Sequence, residues 1–561
     1  MDRIWLKNYP AGVPHDIDVN QYHSLNQLLE ESFRKNADRP FSVCMEQWMS
    51  YGQLDELSAA LGAWLQSLGM APGARVAIML PNLPQFAVTM AAILRAGYTC
   101  VNVNPLYTAR ELEHQLKDSG ATTIVVLENF AHTLAQVIDR TVIEHVAVTA
   151  IGDLLGPVQG RWTTFAVRHL AKMVPAYRIP LTSGRTVTPF KRALSMGSDL
   201  TLKPVNTTLD SVAFLQYTGG TTGLSKGAVL THRNVVAVIL QAEAWFNPAT
   251  QRVGDLRQIN SIAALPLYHI FALSLAFLSI RWGSFITLIP NPRDIGKFID
   301  TLKKRPFHML PAVNTLFNAL LQHPQFNSLD FSNLCLSQAG GMAASEGTAK
   351  HWQEVTGCPM VEGWGMSETG AIGTNNIVTT RQFSGNIGLP LPSVVLAIKD
   401  DEGRTLPIGE SGEICIKGPN VMTGYYQQDA ENLQAFTPDG YMRTGDVGIM
   451  DAEGFTKIVD RKKDMILVSG FNVFPSELEN VISLCDGVLE CAVVGVQDEK
   501  QGEAIKVFVV RRDPTLSEDD VTRYCAQNLT GYKHPKYIEF RDDLPKSAVG
   551  KILRRELRAG K

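Results

Sequence analysis

Along the first part of the chain the apolar positions switch repeatedly between a helical and an extended period. Leu54, Leu57, Leu61, Leu65 and Leu68 recur at helical spacing, Gly69 stops the run, and residues 76–80 follow as a short, continuously apolar strand. Pro81 and Asn82 punctuate the turn, a further helix leads to Gly97, and 100–103 reads as the next strand. Residues 109–119 are then helical and 123–127 extended. The same alternation returns from 262 through 288, at 298–302 and 309–310, and in the apolar helix of 313–321. Apolar strands alternating with helices predict an α/β domain with mainly parallel sheets.

Past residue 380 the texture changes. Short Gly-punctuated strands at 395–398, 412–417 and 454–459 predict a small, mostly antiparallel subdomain. The charged run Asp460-Arg461-Lys462-Lys463-Asp464 separates two apolar strands, and taken alone it reads as a solvated turn. A compact α+β pattern follows, with helices at 476–484 and 518–529 and strands at 490–496 and 505–510. The expected organisation is a large multi-subdomain α/β N-terminal domain over 1–459, a hinge at 460–464, and a mobile α+β C-terminal domain over 465–561.

Two segments raise the question of a membrane. The apolar run 270–280 is interrupted by Arg281, well short of the roughly 20 residues a bilayer span requires, so it reads as a buried helix. Between Gly160 and Pro180, Trp162, Phe165, Leu170 and Met173 mix with Arg161, Arg168 and Lys172. The favoured reading is a surface helix packed on the domain; contact of an amphipathic basic helix with an anionic membrane is the alternative.

Composition narrows the function classes. Lys plus Arg total 52 against 55 Asp plus Glu, a net charge of -3 that gives no reason to expect nucleic acid. The cysteines at 44, 100, 335, 358, 415, 485, 491 and 525 form no CxxC pair and read as reduced, mostly buried thiols of a cytoplasmic protein. The N-terminus lacks a basic segment followed by an apolar run, so no secretory signal is expected.

The strongest chemical signal is Tyr217-Thr218-Gly219-Gly220-Thr221-Thr222-Gly223-Leu224-Ser225-Lys226-Gly227. Glycines and β-branched residues this dense weaken a helix but suit a loop whose amides, hydroxyls and lysine surround phosphate oxygens. The spacing differs from the Walker A loop, because Ser225 precedes the lysine and Gly227 follows it. Other motifs are Gln338-Ala339-Gly340-Gly341-Met342, Glu362-Gly363-Trp364-Gly365-Met366-Ser367-Glu368-Thr369, Tyr441-Met442-Arg443-Thr444-Gly445-Asp446 and Leu544-Pro545-Lys546-Ser547-Ala548-Val549-Gly550-Lys551.

Together these motifs resemble those of the adenylate-forming superfamily, and the likeness to bacterial long-chain fatty-acid–CoA ligases spans essentially the whole chain. The resemblance implies that Thr218, Gly219, Gly220, Thr221, Thr222, Gly223 and Lys226 bind phosphate, with Gly219 standing where most of the superfamily carries serine. It implies that Gly340 and Gly341 lie along adenine, that Trp364, beside Gly365, takes the place of an adenine-packing aromatic residue, and that Ser367 contacts phosphate. Glu368 matches the magnesium-binding glutamate, and Asp446 and Arg461 match the residues that hold ribose. Asp460 corresponds to the hinge about which the C-terminal domain turns, and Lys551 to the catalytic lysine brought to the carboxylate and α-phosphate. His269, in Pro266-Leu267-Tyr268-His269-Ile270-Phe271, corresponds to a residue beside the carboxylate. Gly470–Pro475 and Gly531-Tyr532-Lys533 resemble the CoA-facing segments, with Lys533 toward a CoA phosphate. Trp245, Phe246, Phe271, Leu275 and Phe307 are loose candidates for the wall of an alkyl site.

The implied function is ATP-dependent ligation of a long-chain fatty acid to CoA through an acyl-adenylate, with Mg²⁺ as cofactor and ATP and CoA as cosubstrates. The alternatives are a medium-chain or aryl acid–CoA ligase, or an inactive lipid- or nucleotide-binding protein. Peripheral contact with the cytoplasmic face of the inner membrane and a homodimer are further expectations, with no nucleic acid partner.

Overall fold

The computed structural model describes residues 3–218, 225–468, 471–498, 502–547 and 550–558. Its largest sheet has seven strands, in the order Thr186–Pro189, His145–Thr149, Thr123–Leu127, Arg75–Met79, Thr99–Asn102, Val212–Tyr217 and Gly227–Thr231. All neighbours are parallel except the last pair, an antiparallel hairpin whose loop carries the Gly/Thr run. Helices cover both faces of such a sheet, so its central strands read as continuous apolar runs rather than alternating ones. Val76, Ala77, Ile78 and Met79 are all fully buried, as are Ile124, Val125 and Val126.

The helices begin and end where local chemistry dictates. Ser50 and Gln53 form a capping box that opens Tyr51–Ser67, and Thr108 and Glu111 do the same for Ala109–Ser119. The second helix stops at Gly120, whose φ of 58° is the left-handed conformation glycine tolerates.

A second sheet orders Asn260–Ala263, Phe285–Leu288, Pro40–Cys44 and Gln47–Ser50. Its hairpin over 40–50 lacks a signal in the sequence pattern, because its partner is the distant strand at Ile286 and Thr287. Parallel bridges from Ser261 to Met309, Met309 to Leu336 and Ala312 to Ala339 link this sheet to the strands Ser337–Ala339 and Met360–Trp364. Ile270–Trp282 is the buried helix expected, closed by Gly283 with φ of 67°. No helix among the described residues is long and apolar enough to cross a membrane.

The antiparallel subdomain comprises Val395–Lys399, Ser411–Lys417, Met442–Met450 and Thr456–Arg461. Asp460 and Arg461 therefore end a paired strand, and only 462–464 form the turn. In the C-terminal unit Gly502–Arg511 pairs with Val488–Asp498 on one edge and with Ile466–Val468 and Tyr537–Arg541 on the other. Helices Pro475–Ile482 and Glu518–Asn528 pack on it through Leu478, Ile482, Val521 and Cys525.

The basic apolar piece begins as the surface helix expected: Pro157–Phe165 packs on the domain and runs into a π turn, Ala166–Leu170, and Lys172 follows with φ of 52°. Its inner face is Gly160, where a Cβ would stand 2.1 Å from the Gly152 carbonyl oxygen, and Trp162 is 64% exposed. Small residues make the contact, so the large ones face solvent. All eight cysteines are buried thiols outside any disulfide.

Candidate active site

Of the Gly/Thr loop, Gly219, Gly220, Thr221, Thr222, Gly223 and Leu224 lie outside the described residues. Its two ends are fixed. The Thr218 N–H donates to the Lys226 carbonyl at 3.0 Å, continuing the hairpin register that pairs Tyr217 with Gly227. The Tyr217 hydroxyl donates to Asp118 at 2.5 Å, and a ring nitrogen of His114 bonds the Ser225 carbonyl at 2.9 Å, so helix Ala109–Ser119 braces both sides of the loop. The Lys226 ammonium pairs with Glu431 at 2.6 Å and lies 5.5 Å from the Tyr425 ring centroid.

The edge of the Met360–Trp364 strand supplies the next group. Gly340 and Gly341 follow the neighbouring strand Ser337–Ala339. A Cβ on Gly340 would crowd the Phe271 ring at 3.0 Å, and Gly341 has φ of 77°, the left-handed conformation that favours glycine. A Cβ on Gly365 would stand 2.1 Å from the Ala371 carbonyl oxygen, which packs the turn after Trp364 tightly. Ser367 opens the 3₁₀ turn Ser367–Thr369 that carries Glu368.

Trp364, Asp446 and Arg461 form one unit. The Trp364 Nε1–H donates to Asp446 Oδ2 at 2.8 Å, while the Arg461 guanidinium pairs with Asp446 Oδ1 at 2.9 Å. Glu368 is buried nearby and accepts a 2.7 Å bond from the Tyr425 hydroxyl. Burial pushes its carboxyl up from the ordinary range, and Tyr425 and Arg461 only partly offset this.

His269 caps the buried helix that follows it: its Nδ1 accepts the Phe271 N–H at 3.4 Å. Nδ1 is thus the acceptor, which puts the ring proton on Nε2. Burial pushes His269 down to about 4, and the Lys551 cation adds to that shift. The ring is therefore a neutral Nε2–H donor at physiological pH.

Lys551 comes from the other end of the chain. Gly550, with φ of 81°, accepts a 3.4 Å bond from the Thr315 hydroxyl, docking the tail on helix Asn314–Leu321 of the large domain. Burial lowers the Lys551 ammonium to about 8; Arg461 adds to the fall and Asp446 opposes it. The structure thus brings together Lys551, His269, Asp446, Arg461, Trp364 and Glu368. Asp460 sits at the base of this arrangement, accepting from the Arg461 and Ser476 N–H groups at 2.7 Å each and lying 3.8 Å from Arg554. Lys533 is not brought into the cluster; its ammonium pairs with Glu477 at 2.6 Å within the C-terminal unit.

Three groups carried no assigned role in the sequence reading. Glu362 lies inside a quoted motif; burial pushes it up to about 7, and its Oε2 has no hydrogen-bond partner among the described residues. Tyr425 joins Glu368 to Lys226, and Arg554 pairs with Glu479 at 2.6 Å and lies 3.8 Å from Asp460. Only Glu362 had a signal, its place in the motif. Among the loose alkyl candidates, Leu275 lines a mostly apolar cavity of only about 10 Å³, with Ile262, Ala263, Leu265, Ala272 and Ala276, too small for an alkyl chain. Trp245 is core, its Nε1–H bonded to the Asn376 carbonyl, and Phe307 belongs to a separate cluster.

A cleft of this kind, with an indole edge, a carboxylate–guanidinium pair and an enclosed lysine, is built for a nucleotide and its phosphates. Residues 29–426 match the family described as AMP-binding enzyme, and 477–551 match the AMP-binding enzyme C-terminal domain. The chain belongs to the AMP-binding enzyme family. It is 47% identical over 560 residues to a long-chain-fatty-acid–CoA ligase of Escherichia coli O6:H1, covering 100% of this chain and 98% of that one. ATP-bound MatB from Rhodopseudomonas palustris superposes with a TM-score of 0.78 at 27% identity, covering 96% and 99% of the two chains. Apo MatB from the same organism gives 0.70 at 26% identity over the same shares.

Proposed function

We propose that the protein is a long-chain-fatty-acid–CoA ligase: it activates the acid with ATP as an acyl-adenylate and passes the acyl group to the thiol of CoA. The observation that carries this reading is the enclosed Lys551 ammonium, delivered by the C-terminal unit to the Asp446–Arg461 pair and His269.

A carboxylate resists a thiol because it is anionic and its oxygen leaves poorly. Its oxygen attacks the α-phosphorus of ATP, the bond to the bridging oxygen breaks, and pyrophosphate departs, leaving a mixed anhydride. Lys551 offsets the negative charge that redistributes in this transition state. The Nε2–H of His269 orients the acid by donating to one of its oxygens. Asp446 and Arg461 hold the ribose, and Trp364 packs by the purine. Glu368 fits Mg²⁺ as a buried hard-oxygen ligand. No cluster of three or more His, Cys, Asp or Glu that could hold a metal is present among the described residues, so Glu368 is the one residue assigned to the ion. The bound ion would supply neutralisation of phosphate charge.

The CoA thiol then attacks the acyl carbonyl and AMP leaves. Lys551 fills the cleft in the first step and must withdraw for the second. We assign that motion to the unit 465–561 turning about 460–464 against 1–459, with Lys533 exchanging Glu477 for a CoA phosphate. Long acyl chains are favoured by the sequence relatives; each buried methylene of the acid would contribute about 0.8 kcal/mol.

The test separates the half-reactions. With a panel of fatty acids, Lys551→Ala should lose acid-dependent ATP–pyrophosphate exchange far more than thioester formation from supplied acyl-AMP. Equal loss in both, or no rise in rate as the acid lengthens, would reject the proposal.

A further inference from the structure

The segment 157–181 presents a surface that the ligation chemistry does not use. Within helix Pro157–Phe165, with about 3.6 residues per turn, Val158, Trp162 and Phe165 fall on one stripe, opposite Gly160 and Thr164. The inner face is fixed by backbone contact: a Cβ on Gly152 would stand 2.0 Å from the Gly160 carbonyl oxygen and 2.5 Å from the Thr164 hydroxyl. The helix therefore has no freedom to roll its apolar stripe inward.

That stripe is exposed. Val158 is 81% and Trp162 64% accessible, and Trp162 stacks on Phe165 with centroids 5.9 Å apart in solvent. Beyond the helix Leu170, Met173 and Leu181 are exposed as well. Leaving this many large apolar groups in water is costly unless something covers them.

Charge selects the cover. From residue 154 to 198 the chain contains Arg161, Arg168, Lys172, Arg178, Arg185, Lys191 and Arg192 and no aspartate or glutamate, against a net charge of -3 for the whole. Arg168, Arg185 and Lys191 are paired, with Glu128, Asp139 and Asp153. Arg161, Lys172, Arg178 and Arg192 have no ion pair among the described residues. A second copy of the same face would set cation against cation. An anionic bilayer neutralises them while its acyl boundary takes the aromatic and aliphatic groups.

We propose that residues 157–181 form a docking face for an anionic lipid surface. It holds the protein at the membrane through Trp162, Phe165, Leu170 and Met173, steered by Arg161, Lys172 and Arg178. This goes beyond the ligase reading, because docking requires no step of the reaction.

The experiment is flotation of the full chain with vesicles of phosphatidylcholine alone and of phosphatidylcholine with phosphatidylglycerol. The protein should float with the anionic vesicles and release on raising salt. Trp162→Glu with Phe165→Glu should lower partitioning at least about tenfold, and Arg161→Glu with Lys172→Glu about tenfold on the anionic vesicles only. An unchanged thermal unfolding midpoint keeps each variant interpretable, and Trp162→Ser with Phe165→Ser serves if the glutamates unfold it. Absence of wild-type flotation, or equal flotation of the variants, overturns the proposal. So does lipid-free self-association that the same substitutions abolish, which would assign the face to a second copy.

Discussion

Asp446 divides its two carboxylate oxygens between Trp364 and Arg461: the indole Nε1–H bonds Oδ2 at 2.8 Å and the guanidinium pairs with Oδ1 at 2.9 Å. The residue assigned to ribose is thus aimed by the residue assigned to adenine. A tyrosine or phenylalanine at this position would have no ring N–H to make this bond.

Trp364→Phe should therefore do more than remove packing. It leaves one oxygen of a buried carboxylate without its donor, a loss of about 1–3 kcal/mol. Expressed in nucleotide affinity, that is roughly a fivefold to hundredfold rise in Kd for ATP, measurable by titration calorimetry. An unchanged Kd would show that Asp446 finds another donor.

The pH profile follows from Lys551. Burial brings its ammonium to about 8 in the free enzyme, so the cation is present below that pH and lost above it. The kcat/KM of acid-dependent ATP–pyrophosphate exchange should fall as pH rises through about 8. Lys551→Arg keeps its charge throughout, so its lower activity should show no such fall.

Glu362 makes a second pH-dependent group on the strand beside Gly340. With its carboxyl pushed up to about 7, it is a donor below that pH and only an acceptor above it. Nucleotide affinity should show an inflection near 7 that Glu362→Gln removes. A wild-type profile flat from pH 6 to 8 would exclude it from the nucleotide's surroundings.

For Glu368, the measurement is the magnesium dependence of exchange. Glu368→Gln keeps the Tyr425 contact but loses the negative charge, and half-saturation by Mg²⁺ should rise on the order of tenfold, about 1.4 kcal/mol. The same Mg²⁺ curve for variant and wild type would remove this residue from the metal site.

Arg554 ties the proposed pivot to the C-terminal unit, pairing with Glu479 at 2.6 Å, Asp464 at 3.3 Å and Asp460 at 3.8 Å. Arg554→Ala leaves Asp460 and Glu479 without their cation and should destabilise the protein by about 3–5 kcal/mol. Thermal unfolding reads this directly, and Arg554→Lys should recover part of it.

The sequence by itself determined those features whose causes lie within a few residues. The helix over 109–119 was legible because Thr108, Glu111 and Gly120 carry its start and stop, and residues 123–127 because a doubly covered strand must be apolar throughout. The Gly/Thr run after Tyr217 was legible as a composition no helix interior would choose, whereas the roles of Trp364, Asp446 and Lys551 were legible only through the family resemblance. Tertiary structure decided the rest, for one physical reason: a side chain's partner is set by where the backbone is carried, and loop closure leaves no local trace. Trp364 and Asp446 are 82 positions apart, the 40–50 hairpin pairs with a strand beyond 280, and Trp245 is core while Leu275 faces a cavity. The outward face of Trp162 is the sharpest instance. Periodicity announced an amphipathic helix, but only the contact between Gly152 and Gly160 fixed which side meets water.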